Sequence, residues 1–223
     1  MGIVIAVDGP AGSGKGTVTK RIAEELNLVN IDTGAMYRCV ALECTNKNIK
    51  ETEINKIDEV LKKIEIQLKK ENDKQVVLLN GENVTDKIRT REIDIAASKF
   101  SAIKQVRDSI TPMQRAMAEN ENIIMEGRDI GTVVFPNADV KIFLDCSSEE
   151  RARRRHKQNL ERGIESNFEE IFEEIERRNK LDSEREIAPL VKADDAILVD
   201  STNMTIEDVV QEIKKIIKEK VNI

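Results

Sequence analysis

Tryptophan is absent from this chain of 223 residues, tyrosine occurs once, and aromatics make up only 3% of it. General nucleic-acid binding needs aromatic platforms for bases or net positive charge for phosphates, and 36 basic against 42 acidic side chains leave a formal charge of −6. Nucleic acid is therefore not expected as a partner. Cysteine is scarce too: Cys39, Cys44 and Cys146 are odd in number and scattered, without CxxC spacing or a neighbouring His cluster. That pattern predicts neither a disulfide framework nor a zinc site and suits a reducing, cytoplasmic setting. Long apolar runs are missing as well. Ile3 to Val7 is far short of the ~20 residues of a membrane span and has no basic segment before it, so neither a signal peptide nor an anchor is expected. The 39% hydrophobic content is nevertheless too high for a disordered chain, and the length can close a proper core. A small anionic ligand in a local basic pocket stays open.

What is present alternates. Ile3–Val7 is rich in β-branched residues and runs straight into Asp8 and a glycine cluster, as a buried central strand ending in a functional turn should. Lys15–Leu26 reads as a helix, Val29–Asp32 as a short strand, and Gly34–Cys44 as a helix. From Asn46 to about Ile88 lysine and glutamate rise, and two β-like stretches, Ile64–Leu68 and Val76–Leu79, precede the turn signal Asn80-Gly81. This predicts a small strand-containing insert over 46–88. Ile93–Glu119 is helical in pattern, with a break or kink expected at Pro112. Ile123–Met125, Val140–Leu144 and Ala196–Val199 read as further short strands. Ser147–Glu150, Ser166–Glu169 and Thr205–Asp208 have capping-box spacing and should open three helices. Short apolar strands alternating with helices predict an α/β fold, an open and mainly parallel sheet covered on both faces.

The strongest chemical signal is Gly9, Pro10, Ala11, Gly12, Ser13, Gly14, Lys15, Gly16, Thr17, between the first strand and the first helix. Glycines let backbone N–H groups converge on phosphate oxygens, the helix N-terminus adds partial positive charge, and Lys15 reaches the β- and γ-phosphates. The ligand implied is a nucleoside triphosphate. The Walker pattern wants Ser or Thr directly after the lysine; here Gly16 intervenes, so Thr17 serves Mg²⁺ either directly or through water. The Gly-Lys-Gly-Thr variant resembles nucleoside monophosphate kinases.

Other clusters bear on the acceptor. Asp32 to Arg38 places a hydroxyl, a phenol and a guanidinium at the end of a strand. Ser98 and Arg107 lie on the long helical stretch. Glu126 to Thr132 follows a strand, where ligands of open sheets bind. Arg178, Asp182 and Arg185 share one helix face. Taken singly, the last set reads as a solvated ion-pair face and the arginines at 151, 154 and 155 as a basic helix surface.

In combination, Asp8 to Thr17, Asp32 to Arg38, Gly127 to Pro136, Val140 to Leu144, Ser147 to Arg151 and Ala188 to Val191 resemble the bacterial cytidylate kinases, and the resemblance runs over nearly the whole chain. It implies a P-loop kinase with a five-stranded parallel sheet, a small β-containing nucleotide-monophosphate-binding insert at about 46–88 and a short helical lid at about 148–165, all within one domain over 1–223. It also implies ATP and Mg²⁺, transfer of the γ-phosphoryl group to CMP or dCMP, and a cytoplasmic monomer with no membrane partner. Ser98, Arg107 and Asp129 would recognise cytosine, Arg38 and Arg128 the acceptor phosphate, and Thr33 and Tyr37 the acceptor pocket. Arg178 and Asp182 would hold the ribose, with Arg178 and Arg185 near phosphate. Arg151 and Arg155 would cover the ATP phosphates with Lys15, Arg128 and Arg178 as the catalytic set.

Such chemistry needs no general base, because the acceptor phosphate is largely ionised at pH 7, its second pKa being about 6. The only histidine, His156, is therefore read as structural. A switch GTPase would need Asn-Lys-x-Asp, which the Asn46–Ile49 stretch does not supply; a kinase for another small acceptor and a phosphate-binding domain without turnover stay open. Lys15→Ala should abolish phosphoryl transfer to every acceptor in a coupled assay, whereas Asp129→Ala should chiefly weaken discrimination between bases. Equal loss for all acceptors in the second variant would contradict the role given to Asp129.

Overall fold

The computed structural model describes residues 2–71, 74–119, 121–161 and 163–223. Asn72 and Asp73 of the expected insert, Arg162 of the expected lid, and Met1 of the expected single domain lie outside the described residues. Two compact units divide the chain: Met1–Asn30 with Ala118–Ile223, and Ile31–Met117.

The first apolar run becomes β1 (Val4–Asp8), buried along its whole length. With β2 (Val29–Asp32), β6 (Ile123–Gly127), β7 (Val140–Asp145) and β8 (Ile197–Asp200) it forms a five-stranded sheet of order β2-β6-β1-β7-β8. β1 runs parallel to both β6 and β7, and β7 parallel to β8. This is the expected open parallel α/β sheet. β1 is central in a parallel sheet, where crossover helices cover both faces, and all five of its residues are buried, which is why its sequence is apolar without alternation. Helices α1 (Lys15–Leu26) and α8 (Ile206–Lys220) bring Val18, Ile22, Val209, Ile213 and Ile217 into one core cluster with Ile5, Val7, Ile124 and Ile142. The Thr205–Asp208 capping box starts α8 as expected, with both reciprocal bonds formed. The pairing of Val7 with Glu126 and Asp8 with Gly127 brings the carboxyl ends of β1 and β6 level, so the loops that follow start from the same edge.

The second unit begins with α2 (Thr33–Asn46), capped by the Asp32 carboxylate on the Ala35 amide, and continues through α3 (Ile54–Leu61). β3 (Ile66–Glu71), β4 (Lys74–Leu79) and β5 (Glu82–Asn83) form a small antiparallel sheet, and Asn80-Gly81 makes the tight turn between the last two. Its core packs Met36, Cys39, Val40, Ile57, Val77, Ile88 and Ile110 together.

Two local expectations are corrected. The helical stretch after residue 90 breaks at Ser101–Ile103, between α4 (Arg91–Phe100) and α5 (Lys104–Ala116), and Pro112 lies inside α5. Phe100 and Val106, on either side of the break, are buried in the same core, and Ile103 is packed against it. The proline removes a single N–H from a helix held by that burial. Ser166 does not cap α7 (Phe168–Glu184); the Asn167 side chain accepts from the Glu170 amide instead. Ser166 is engaged by His156 Nδ1 at 3.0 Å and Asn159 Nδ2 at 3.3 Å. The helix that carries His156 and Asn159, α6 (Ser148–Glu161), starts where Ser147 Oγ accepts from the Glu150 amide.

Candidate active site

The turn from β1 into α1 has the geometry that its glycines require. A methyl at Gly9 would lie 2.1 Å from the Leu144 carbonyl oxygen, and Gly14, which opens α1, sits at φ 92°, a conformation costly for any other residue. Inside the turn Lys15 is buried, and its ammonium donates to the carbonyls of Gly9 at 2.8 Å and Pro10 at 2.7 Å and to Ser13 Oγ at 3.3 Å. Burial, and then the nearby Arg128 charge, pull the Lys15 pKa well below the usual lysine value, while Glu126 and Asp8 oppose the fall. An ammonium so placed gains from an incoming polyanion, since a phosphate restores the solvation that burial removed. Thr17 is exposed on the first turn of α1.

Asp8 ends β1 in a buried position and accepts from the amides of Ile130 at 2.8 Å and Gly131 at 2.7 Å. Those amides open a π-helical turn, Ile130–Val134, closed by Phe135 N–H on the Ile130 carbonyl at 2.7 Å. On the far side of this turn, the buried Lys141 ammonium holds the Pro136 carbonyl at 2.6 Å and Asp195 at 2.8 Å. The turn that follows Arg128 and Asp129 is thus fixed at both ends. Burial, its largest influence, pushes the Asp8 pKa up to about 6 in spite of the two amide bonds, which lower it.

Arg128 donates to Asp182 at 3.0 Å, and Asp129 faces Arg185 at 3.6 Å. Burial works to raise the Asp182 pKa, but Arg128, Arg178 and Arg185 outweigh it and hold the carboxyl below its ordinary range. Arg178 and Asp182 share a face of α7 as expected. Arg185 is the residue that caps the helix, extended at φ −62° and ψ 139°, with Nε on the Ala188 carbonyl. Within this unit, then, the expected residues Lys15, Arg128, Asp129, Arg178, Asp182 and Arg185 form one mutually compensated charge cluster. Arg155 is exposed on α6, and Arg151 is buried against the phosphate loop.

The second unit holds the remaining candidates. Arg38 is ion-paired with Asp94 at 2.7 Å and Asp32 at 3.8 Å. Arg107 is buried on α5, donates to the Ser101 carbonyl at 3.0 Å and lies over the Tyr37 ring at 5.4 Å. Thr33 is buried at the start of α2, and Ser98 Oγ is buried on α4 without a hydrogen-bond partner, an orphan that a ligand polar group would satisfy. The buried cysteines are not competing nucleophiles: burial pushes Cys39 to about 12 and Cys44 to about 11.

A family model described as cytidylate kinase matches residues 5–219. The chain belongs to the cytidylate kinase family. Curated cytidylate kinases of Thermosipho melanesiensis and Bacillus subtilis are 50% and 45% identical to it, each over 97% of this chain and over 97% and 96% of their own lengths. A solved structure of an uncharacterised protein from Eubacterium ventriosum superposes with a TM-score of 0.53 at 13% identity, covering 98% of this chain and 99% of that one, a likeness of fold alone.

Sequence reasoning placed Asp8 and Glu126 within clusters it singled out but gave neither a role of its own, and it did not name Asp94, which pairs with Arg38 in the second unit. Glu126 is buried at the end of β6, and a methyl at Gly16 would lie 2.9 Å from its Oε1. An acidic residue ending an apolar strand was the available signal; which helix residue it would meet was not. Hard oxygen donors of Glu126 and Thr17 on neighbouring segments beside a buried lysine suit Mg²⁺ bound to a polyphosphate.

The raised Asp8 pKa has a measurable sign. The folded state binds the Asp8 proton more tightly than the unfolded chain, so this contribution to stability is present below about pH 4 and is lost as pH rises through about 6. Asp8→Asn cannot titrate. The margin in melting temperature of the parent protein over this variant should therefore shrink between pH 4.5 and pH 7, and a margin that is constant or widens would refute the placement of the charge.

Proposed function

We propose that this chain transfers the γ-phosphoryl group of ATP to the phosphate of CMP or dCMP, giving ADP and CDP or dCDP, as a cytoplasmic monomer. The supporting observation is the coincidence of cytidylate kinase relatedness over nearly the whole chain with a buried Lys15 in a phosphate loop beside the Arg128–Asp182 and Asp129–Arg185 pairs. Among the described residues no helix is long and apolar enough to cross a membrane.

In this reading the loop amides from Gly9 to Thr17 and the Lys15 ammonium hold the ATP phosphates, with Arg155 approaching them from α6. Lys15, Arg128 and Arg178 neutralise the charge that spreads over the transferred group, the main task in phosphoryl transfer. Glu126 and Thr17, directly or through water, are the residues that would hold Mg²⁺, which would supply further charge neutralisation when bound. The acceptor phosphate is its own nucleophile and needs alignment rather than deprotonation, in keeping with the engagement of His156 by Ser166. Asp182 binds the ribose and Arg185 a phosphate oxygen. Arg38, already oriented by Asp94 and Asp32, serves the acceptor phosphate, and Thr33 and Tyr37 line the acceptor pocket.

Ser98, Arg107 and Asp129 read the base. A carboxylate at the exocyclic position favours the amino group of cytosine and meets the carbonyl of uracil with like charge, so a mismatch leaves buried polar groups unpaired. A coupled assay with ATP, Mg²⁺ and each nucleoside monophosphate in turn should give rapid ADP formation with CMP and dCMP, slower turnover with UMP, and little with AMP or GMP. Failure to form CDP from CMP would overturn the reading.

A further inference from the structure

Arg151 is 3% exposed, more deeply buried than a side chain that reaches into a substrate cleft needs to be. Its guanidinium makes four hydrogen bonds within the protein: Nε to the Cys146 carbonyl at 2.9 Å, one terminal nitrogen to the Ala11 carbonyl at 2.8 Å and to Asn179 Oδ1 at 3.0 Å, and the other to Ser148 Oγ at 2.9 Å. Four of the five N–H donors of an arginine are thereby used on protein oxygens. The aliphatic stem lies along the loop, since a methyl at Gly12 would meet its Cβ, Cγ and Cδ at 3.6–3.9 Å. Asn179 completes the arrangement through Nδ2 on Ser148 Oγ at 3.1 Å, and it is the residue next to Arg178 on α7.

We propose that Arg151 is a positioning residue that braces the outer arm of the phosphate loop and ties it, through Asn179, to the helix carrying Arg178, Asp182 and Arg185. The inference rests on the kinase reading for its kinetic consequence and on geometry alone for its structural one. Three successive carbonyls of the loop are held by cations, those of Gly9 and Pro10 by Lys15 and that of Ala11 by Arg151. In a planar trans peptide the N–H of the next residue points opposite to the carbonyl, so fixing the Ala11 oxygen fixes the direction of the Gly12 amide, one of the donors the phosphates would meet. A lysine cannot replace this function. Its single ammonium has no planar fork with which to span the Ala11 carbonyl, Asn179 and Ser148 together.

The experiment measures ADP and CMP affinity separately by calorimetry, and kcat and KM in the coupled assay, for Arg151→Lys, Arg151→Met, Asn179→Ala and Arg151→Met/Asn179→Ala. Positioning predicts that Arg151→Lys and Arg151→Met are alike, with ADP affinity and 1/KM for ATP down about ten-fold, kcat down about 100-fold and CMP affinity within about two-fold of the parent. Asn179→Ala should lose less, about five-fold in ADP affinity, and the double variant should be no worse than Arg151→Met alone. Near-parental kinetics in Arg151→Lys would mean that charge at the phosphates is what counts, and would overturn the proposal. Fully additive losses in the double variant, or equal losses of CMP and ADP affinity, would do so as well. Should Arg151→Met melt below the assay temperature, Arg151→Lys and Asn179→Ala carry the comparison. The ADP measurement needs no acceptor, so a protein that binds ADP with this dependence on Arg151 yet makes no CDP would sink the proposed function and leave the brace standing.

Discussion

A buried ammonium surrounded by its own loop's oxygens is the constraint around which this molecule is arranged. Lys15 cannot be left unpaired in the position the fold gives it, and the carbonyls of Gly9 and Pro10 with the Ser13 hydroxyl meet the requirement at the expense of loop freedom. The same ammonium is set between charges of both signs, Glu126 and Asp8 on one hand and Arg128 and Arg178 on the other. A site in such balance is preorganised for a ligand that brings negative charge, because cationic groups gathered by compensating carboxylates need little rearrangement to receive it.

The compensation extends outward in pairs. Asp182 holds Arg128, Arg185 faces Asp129, and in the other unit Asp94 and Asp32 hold Arg38. Each carboxylate limits the rotamers of a long cationic side chain, which would otherwise lose appreciable conformational entropy on meeting a ligand. Behind these pairs stand groups that touch the backbone. Asp8 and Lys141 pin the two sides of the turn after Asp129, and Arg151 holds Ala11. Several of the charged side chains in the first unit are therefore occupied with holding loops rather than with presenting charge to solvent.

The phosphate loop was legible from residues alone because its chemistry is local: strand, glycines, lysine and helix follow one another within a few residues. The arginine and aspartate pairs were not legible as pairs, since Arg128 and Asp182 are far apart in the chain and only the fold makes them neighbours. Arg151 shows the difference most clearly. Its position beside other arginines on α6 read as a basic helix surface and the family resemblance implied cover over the ATP phosphates, whereas in the structure it is buried against Gly12 and bonded to the Ala11 carbonyl. The break at Ser101–Ile103 was not legible either: Pro112 is the visible local signal, yet it lies inside the second helix, and the chain breaks ahead of it.

By itself, the chain of residues determined the α/β alternation, the buried strands at Ile3–Val7, Ile123–Met125 and Val140–Leu144, and the placement of an anion-binding turn after the first of them. Periodicity and turn chemistry act over a few residues and can be read without knowing what lies across the sheet. Tertiary structure alone decided which carboxylate faces which guanidinium, that Glu126 stands against Gly16, and that Asp8 carries the turn beyond Asp129. Those outcomes depend on strand order and register, and these are settled by burial of whole faces rather than by any short segment of sequence.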